Sequence, residues 1–256
     1  MMRLLVACAV LALLHSGEAA SLIAVEEEIA LGRAAQRELQ ARVPAYGDPR
    51  VTAYVKGVGE RLARHAPGPP YPYTFSVAAS NELNAFALPG GPVWVHAGLL
   101  RATADESQLA AVLAHEIAHI AARHAADRLT KGLVTNGLLG LLGAMLGTDG
   151  GARTARIGAQ LLAGGYLLKF SREDEREADR LGLQLMRRAG WDGRGMLDVL
   201  ERLRQVEGRD PGSVARFLST HPAPSERIDL LRGQMVSGGR RDSAEFRTMK
   251  ARLAKR

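Results

Sequence analysis

Residues 103–128 read TADESQLAAVLAHEIAHIAARHAADR, and the rest of the chain takes its meaning from them. Thr103-Ala104-Asp105-Glu106 has the form of a capping box, which predicts a long helix over about Ala104 to Arg128. Within it stands His115-Glu116-Ile117-Ala118-His119. Residues four apart on a helix lie roughly 40° apart around the axis and one turn apart along it, so His115 and His119 converge on one point. Glu116, about 100° from His115, reaches toward that point without sitting on it. Two convergent imidazoles suit a zinc ion, and the carboxylate beside them suits a general base that takes a proton from water. With 7 histidines in 256 residues, this spacing seldom arises by chance.

A hydrolytic zinc site keeps three protein ligands and one open position. Candidates for the third crowd the stretch Ser171-Arg-Glu-Asp-Glu-Arg-Glu-Ala-Asp179. On a helix, Glu175 and Asp179 share an arc with Ala178, Gly182, Leu185 and Met186, which is the buried arc. Glu173 and Glu177 fall on the opposite, solvated side, and Asp174 is the capping partner of Ser171. Two core-facing carboxylates are costly unless paired or bound to metal. Glu175 is therefore expected as the third ligand, with Asp179 holding a ligand histidine's free N–H; the alternative is a pair of salt bridges. His221-Pro222 precedes a helix whose first turn carries Arg227. These two residues would stabilise an oxyanion or, for His221, fill the open coordination position; the plain alternative is a surface His-Pro turn. His124 lies about 180° from His115 on a continuous helix, and His96 ends a strand, so neither is expected to ligate the same ion. His65, beside a proline-rich stop, is expected to be solvated.

Around this core the pattern is mostly helical. Helices are expected over Ala24–Arg42, Val51–Arg64, Ser171–Arg188, Met196–Val206 and Ser225–Met235. Tyr73–Ala78 reads as a short strand. Asn84-Ala-Phe-Ala-Leu88, a Pro89-Gly-Gly-Pro92 turn and Val93-Trp94-Val95 read as a hairpin, and Pro92 suggests that its second arm is an edge strand. Gly132–Thr148 carries no charge and reads as a buried helix, a flexible lid or a membrane-dipping segment. The expected fold is α+β and mostly helical. It is a single zincin-like metallopeptidase domain over 20–238, with a small antiparallel sheet whose edge strand flanks the active-site helix. Residues 239–256 form a basic tail, either a solvated end or a contact with anionic lipid.

Composition limits the function classes. At 46% apolar and 24% charged residues the chain is globular, and a single cysteine excludes a disulfide scaffold or a cysteine-rich zinc finger. The net charge of +7 favours anionic partners. Arg3, the apolar run Leu4–Leu14 and the small residues before Ala19 match a signal peptide over 1–19, too short to span a bilayer. Cleavage removes Cys8, and export makes nucleic acid an unexpected partner.

HEIAH, SREDEREAD, the preceding Asn84-Ala-Phe-Ala-Leu-Pro-Gly-Gly and the following Ser-Thr-His221-Pro occur in the order found in the gluzincin family of CAAX prenyl proteases. The chain resembles that family, which includes HtpX and Oma-type proteases, and among its members resembles most the periplasmic BepA- and LoiP-like ones. The resemblance implies zinc ligands at His115, His119 and Glu175, Glu116 as base, Asp179 behind the ligands, and His221 with Arg227 lining the site. It also implies that His221 can block the ion as a fourth ligand. Only 35 residues follow His221, too few for an array of helical repeats of about 34 residues each, so a compact protease is expected. The expected activity is a periplasmic endopeptidase with one Zn2+ per chain that degrades misfolded or unassembled envelope proteins. Substrate would lie extended at Asn84, Val93, Trp94 and Val95 by strand addition. The rival readings are an assembly factor held closed by His221 and a basic membrane-peripheral module; peripheral contact with anionic membrane is a further candidate partner.

Overall fold

Every residue of the helix Glu106–Ala121 is buried, and the other elements are arranged around it. The structure, a computed structural model, describes residues 21, 23–135, 169–222, 224–234 and 238–254. In chain order these form α1 (Val25–Arg42), α2 (Pro49–Ala63), β1 (Thr74–Ala78), β2 (Ala85–Ala87), β3 (Pro92–His96), α3 (Ala97–Ala102), α4 (Glu106–Ala121), α5 (His124–Thr135), α6 (Arg172–Arg188), α7 (Arg194–Glu207), α8 (Pro211–Thr220), α9 (Pro224–Gln234) and α10 (Ala244–Ala254). The expected signal peptide and most of the uncharged stretch 132–148 lie outside the described residues. No helix among the described residues is long and apolar enough to cross a membrane.

The fold is mostly helical with one small sheet, as the sequence pattern implies, but the sheet is mixed rather than antiparallel. Its order is β1-β3-β2, with β3 parallel to β1 and antiparallel to β2. The expected hairpin forms, yet its second arm is the central strand, not an edge, and Val93, Trp94 and Val95 are all buried. Proline at the first position of a strand removes only one donor. Pro92 still accepts the Leu88 N–H at 2.8 Å, so it enters the centre without breaking the ladder. The strand beside α4 that carries an outer side is β2.

The helix predicted over 104–128 is two helices. Asp105 caps α4 by accepting the Gln108 N–H, whereas the Thr103 hydroxyl donates to the carbonyl of Leu100 and closes α3. At the other end Arg123 adopts φ +59°, an uncommon conformation for a side chain other than glycine, and α5 sets off in a new direction. A tertiary tie holds this break. Arg123 Nε donates to the buried carboxylate of Glu28 at 3.1 Å, and Tyr71 Oη donates to the same oxygen at 2.7 Å.

The stretch read as a basic tail is built into the body. Phe246, Met249 and Leu253 of α10 are buried against α2 and α3. Arg240 pairs with Glu106, Arg241 with Asp105 and Asp198, and Arg252 with Asp48. Lys250 donates to the carbonyls of Leu100, Arg101 and Thr103. These cations, read as a solvated end or a contact with anionic lipid, are thus engaged within the chain, and the Arg241 carbonyl accepts the Ser107 N–H in the first turn of α4.

α4 packs most extensively on α6, and Gly182 sets their separation. A Cβ there would lie 3.3 Å from the Ala114 carbonyl carbon and the His115 nitrogen, and 2.8 Å from Met196 Cε. A side chain at 182 would push α6, and with it the carboxylates, away from α4 by at least a few tenths of an ångström. Gly182→Val should therefore cost about 1–3 kcal/mol of stability, by overpacking. It should also weaken zinc uptake, read by thermal melts with and without metal.

Candidate metal centre

The cap at Ser171 sets the phase of α6: Ser171 Oγ accepts the Asp174 N–H and Asp174 returns the bond to the Ser171 N–H. From that start Glu175 and Asp179 fall on the buried face. α8 ends at Thr220, and the next residue, His221, is buried with them. His115, His119, Glu175 and His221 bring one ligand atom each within 4.8 Å of one another.

The donor atoms suit one ion. His115 Nε2 lies 3.0 Å from His119 Nε2 and 3.3 Å from His221 Nδ1. Glu175 Oε1 lies 2.9 Å from His221 Nδ1 and 3.4 Å from His119 Nε2. Ligands at about 2.0–2.1 Å in a tetrahedron stand roughly 3.3 Å apart, so these spacings match the edges of a zinc site. Three imidazole nitrogens and one carboxylate oxygen are zinc chemistry, and the buried cluster is compatible with a single zinc ion. Glu116 is fully buried, with Oε1 3.6 Å from His221 Nε2, and neither carboxylate oxygen has a hydrogen-bond partner among the described residues. A buried carboxylate left this way is costly, which is consistent with a task that needs its lone pairs free.

Behind the ligands sits a charge network. Asp179 Oδ1 faces His115 Nδ1 at 3.1 Å, which directs the opposite nitrogen of that ring into the cluster. Arg227 donates to both oxygens of Asp179 at 2.7 Å and pairs with Glu175. Its guanidinium is buried between the two carboxylates and compensates their charge, at the edge of a cavity it shares with His115 and Glu116. Two anions on one buried helix face require a fixed cation, and that demand decides where Arg227 goes. Burial opposes ionisation of Asp179, but Arg227 outweighs it and holds the carboxyl at about 2. Burial likewise disfavours the Glu175 carboxylate and is outweighed by His221 and Arg227, leaving it well below the usual range. For His115, burial is outweighed by hydrogen bonds to Asp179 and Glu175, which lift it to about 9. Burial pushes His119 down.

The remaining expected site residues are dispersed. Asn84 is buried at the head of β2, with no hydrogen-bond partner for its side-chain amide among the described residues. Val93, Trp94 and Val95 lie inside the sheet. Sequence reasoning missed two aromatic walls: Phe170 stacks on His119 with ring centroids 3.9 Å apart, and Phe217 stacks on His221 at 4.7 Å. Their only signal is adjacency, Phe170 beside the Ser171 cap and Phe217 one turn before His221. It also missed His124, which the break at Arg123 brings against His119.

Asp179 is held below its ordinary value of 3.8, so the stability it adds is present above pH 4 and is lost as pH falls toward 2. That shift corresponds to about 2 kcal/mol. Arg227→Ala should cost about 3–5 kcal/mol by leaving buried anions uncompensated, and should move the acid transition of the metal-free protein to higher pH. Melting temperatures of both proteins from pH 6 down to pH 3 check this.

Known proteins share this arrangement of sequence. A model of peptidase family M48 matches residues 49–235. The chain is 34% identical over 221 residues to the beta-barrel assembly-enhancing protease of Yersinia pestis, a match covering 84% of this chain and 45% of that protein. The protein of the same name from Escherichia coli K12 is 33% identical over 215 residues, covering 82% and 44%. The mitochondrial metalloendopeptidase OMA1 of Schizosaccharomyces pombe is 36% identical over 202 residues, covering 77% and 58%. The chain spans about half the length of the relatives it matches. The matched span contains the whole metal centre, and on this ground the chain belongs to peptidase family M48.

Proposed function

We propose that this chain is an exported, zinc-dependent endopeptidase that cleaves misfolded or unassembled proteins of the cell envelope. The observation that carries the reading is the convergence of His115, His119, Glu175 and His221 beside the fully buried carboxylate of Glu116. The signal pattern over 1–19 and the relatives named for β-barrel assembly support the envelope as its place of work, and the periplasm in particular.

His115 Nε2, His119 Nε2 and Glu175 would hold the zinc. The bound ion supplies Lewis acidity, polarising a peptide carbonyl and lowering the pKa of water to about 7. Glu116 accepts the proton from the attacking water and returns it to the leaving amine. Asp179 keeps the His115 ring in the tautomer whose Nε2 lone pair faces inward, and Arg227 keeps Asp179 and Glu175 ionised. His221, swung off Glu175, would donate to the developing oxyanion.

Substrate docking belongs at β2 rather than β3. Among the described residues β2 pairs with β3 alone. Asn84 and Leu88 turn their backbone groups toward β3. Ladder alternation then turns those of Ala85, which is fully buried, and of Ala87, which is half-buried, away from β3, leaving Ala87 as the point at which an extended chain can add. Main-chain pairing reads backbone, which suits unfolded substrates of varied sequence.

A second reading is favoured by one observation: His221 Nδ1 lies 2.9 Å from Glu175 Oε1, so as found the fourth position is filled from within. In that reading the chain is an assembly factor whose site stays closed.

Glu116→Gln should bind one zinc per chain, like the parent, while casein cleavage falls about 10²–10⁴-fold and a chelator abolishes the parent's cleavage. Zinc in both without cleavage by either would favour the closed reading. His221→Ala then separates the two: it gains proteolysis if His221 is a block and loses it if His221 stabilises the oxyanion. Ala87→Pro removes an outward donor and should raise KM for casein about tenfold with zinc content unchanged; an unaltered KM would refute docking at β2.

A further inference from the structure

His119 offers Nε2 to the metal cluster, 3.0 Å from His115 Nε2 and 3.4 Å from Glu175 Oε1. Its other nitrogen, Nδ1, lies 2.9 Å from Nδ1 of His124. His124 is buried, and its Nε2 lies 3.4 Å from Oε2 of Glu177 on α6, a side chain half open to solvent. We propose that His124 is a positioning residue for the ligand His119, the middle of a hydrogen-bond chain that runs from the metal site to the surface carboxylate of Glu177.

The direction of each bond follows from proton counting. A neutral imidazole carries one N–H and one lone pair. If Nε2 of His119 gives its lone pair to the metal, its proton sits on Nδ1, so Nδ1 of His124 must accept. The His124 proton then sits on Nε2 and is donated to Glu177, which accepts. The chain is consistent in one direction only, from metal to solvent. Each helical ligand histidine then has its own orienting group: Asp179 at 3.1 Å for His115, and His124 for His119. A ligand imidazole lacking such a partner can rotate or adopt the wrong tautomer, and removal of the partner typically costs about 10–100-fold in metal affinity.

The backbone is arranged to put His124 there. On a continuous helix His124 would stand on the far side from His115. Arg123 at φ +59° turns the chain, and its guanidinium is held by Glu28 and the carbonyl of Ile23, so α1 fixes the turn that carries His124 under His119. Phe170, stacked on the His119 face, blocks the ring from tilting away from this partner.

The inference rests on His119 as a zinc ligand, and the test separates the two. Zinc dissociation constants are measured by chelator competition for the full chain and for His124→Leu, His124→Asn and Glu177→Ala, together with visible spectra of the Co2+-loaded proteins. Leucine keeps the volume of His124 and loses the acceptor, while the oxygen of asparagine stands where Nδ1 stood. His124→Leu should bind zinc about 10–100-fold more weakly, with an altered Co2+ spectrum, and His124→Asn should restore both to near the parent. Glu177→Ala, on an exposed side chain that folding does not need, should weaken zinc binding severalfold. Equal loss in the leucine and asparagine variants would overturn the positioning role, since a purely structural defect would not be rescued. Unchanged affinity in Glu177→Ala would remove the carboxylate end of the chain. A parent that bound no metal would sink the metal site itself, whereas a parent and variants that bound it equally would sink this inference alone.

Discussion

Two carboxylates buried on one helix face, Glu175 and Asp179, are the constraint on which the rest of the structure depends. Neither is tolerable alone in a low-dielectric interior. Arg227 arrives from α9 to span both, His115 turns its Nδ1 to Asp179, and Gly182 lets α6 approach α4 closely enough for these contacts. The network is thus both a structural tie among α4, α6 and α9 and the device that aims His115 Nε2 into the histidine–glutamate cluster. Its low carboxyl pKa values and the raised value of His115 are one fact seen from several groups.

The second organising device lies at the far end of α4. Helix propensity favours continuation through Ala121 and Ala122 into the Ala-rich segment beyond, and no glycine or proline marks a stop. The stop comes from Glu28, more than ninety residues upstream, which holds Arg123 in an uncommon conformation with the help of Tyr71. α1 therefore shapes the metal centre without contributing a ligand to it. The segment leading into the last helix does comparable work at the start of α4, where Arg240 and Arg241 pair with Glu106 and Asp105 and the Arg241 carbonyl takes up the Ser107 N–H.

Much of this was legible in advance. The ligand spacing, the burial of Glu175 and Asp179 against the exposure of Glu173 and Glu177, the Ser171 cap and the hairpin all follow from local periodicity and turn chemistry. Phe246, Met249 and Leu253 lie three and four apart, a helical signal that the dense charge of residues 239–256 masked. The short helices α3 and α8 carry little periodicity. The place of β3 in its sheet was misread because Pro92 weighs against a central strand only when its missing N–H is needed, and at the strand's first position it is not.

By itself the sequence determined the chemistry: which side chains can meet on one helix, which carboxylates must be buried with them, and that nitrogen and oxygen ligands for zinc result. These depend on angles per residue, which a local pattern carries. Only the tertiary structure decided what stands behind each ligand. That Arg227 spans both carboxylates, that His221 closes on Glu175, and that His124 lies under His119 depend on contacts between segments about fifty to a hundred residues apart, or on a break imposed by such a contact. A periodic pattern has no means of encoding them, because the deciding energy comes from compensating buried charge across the fold.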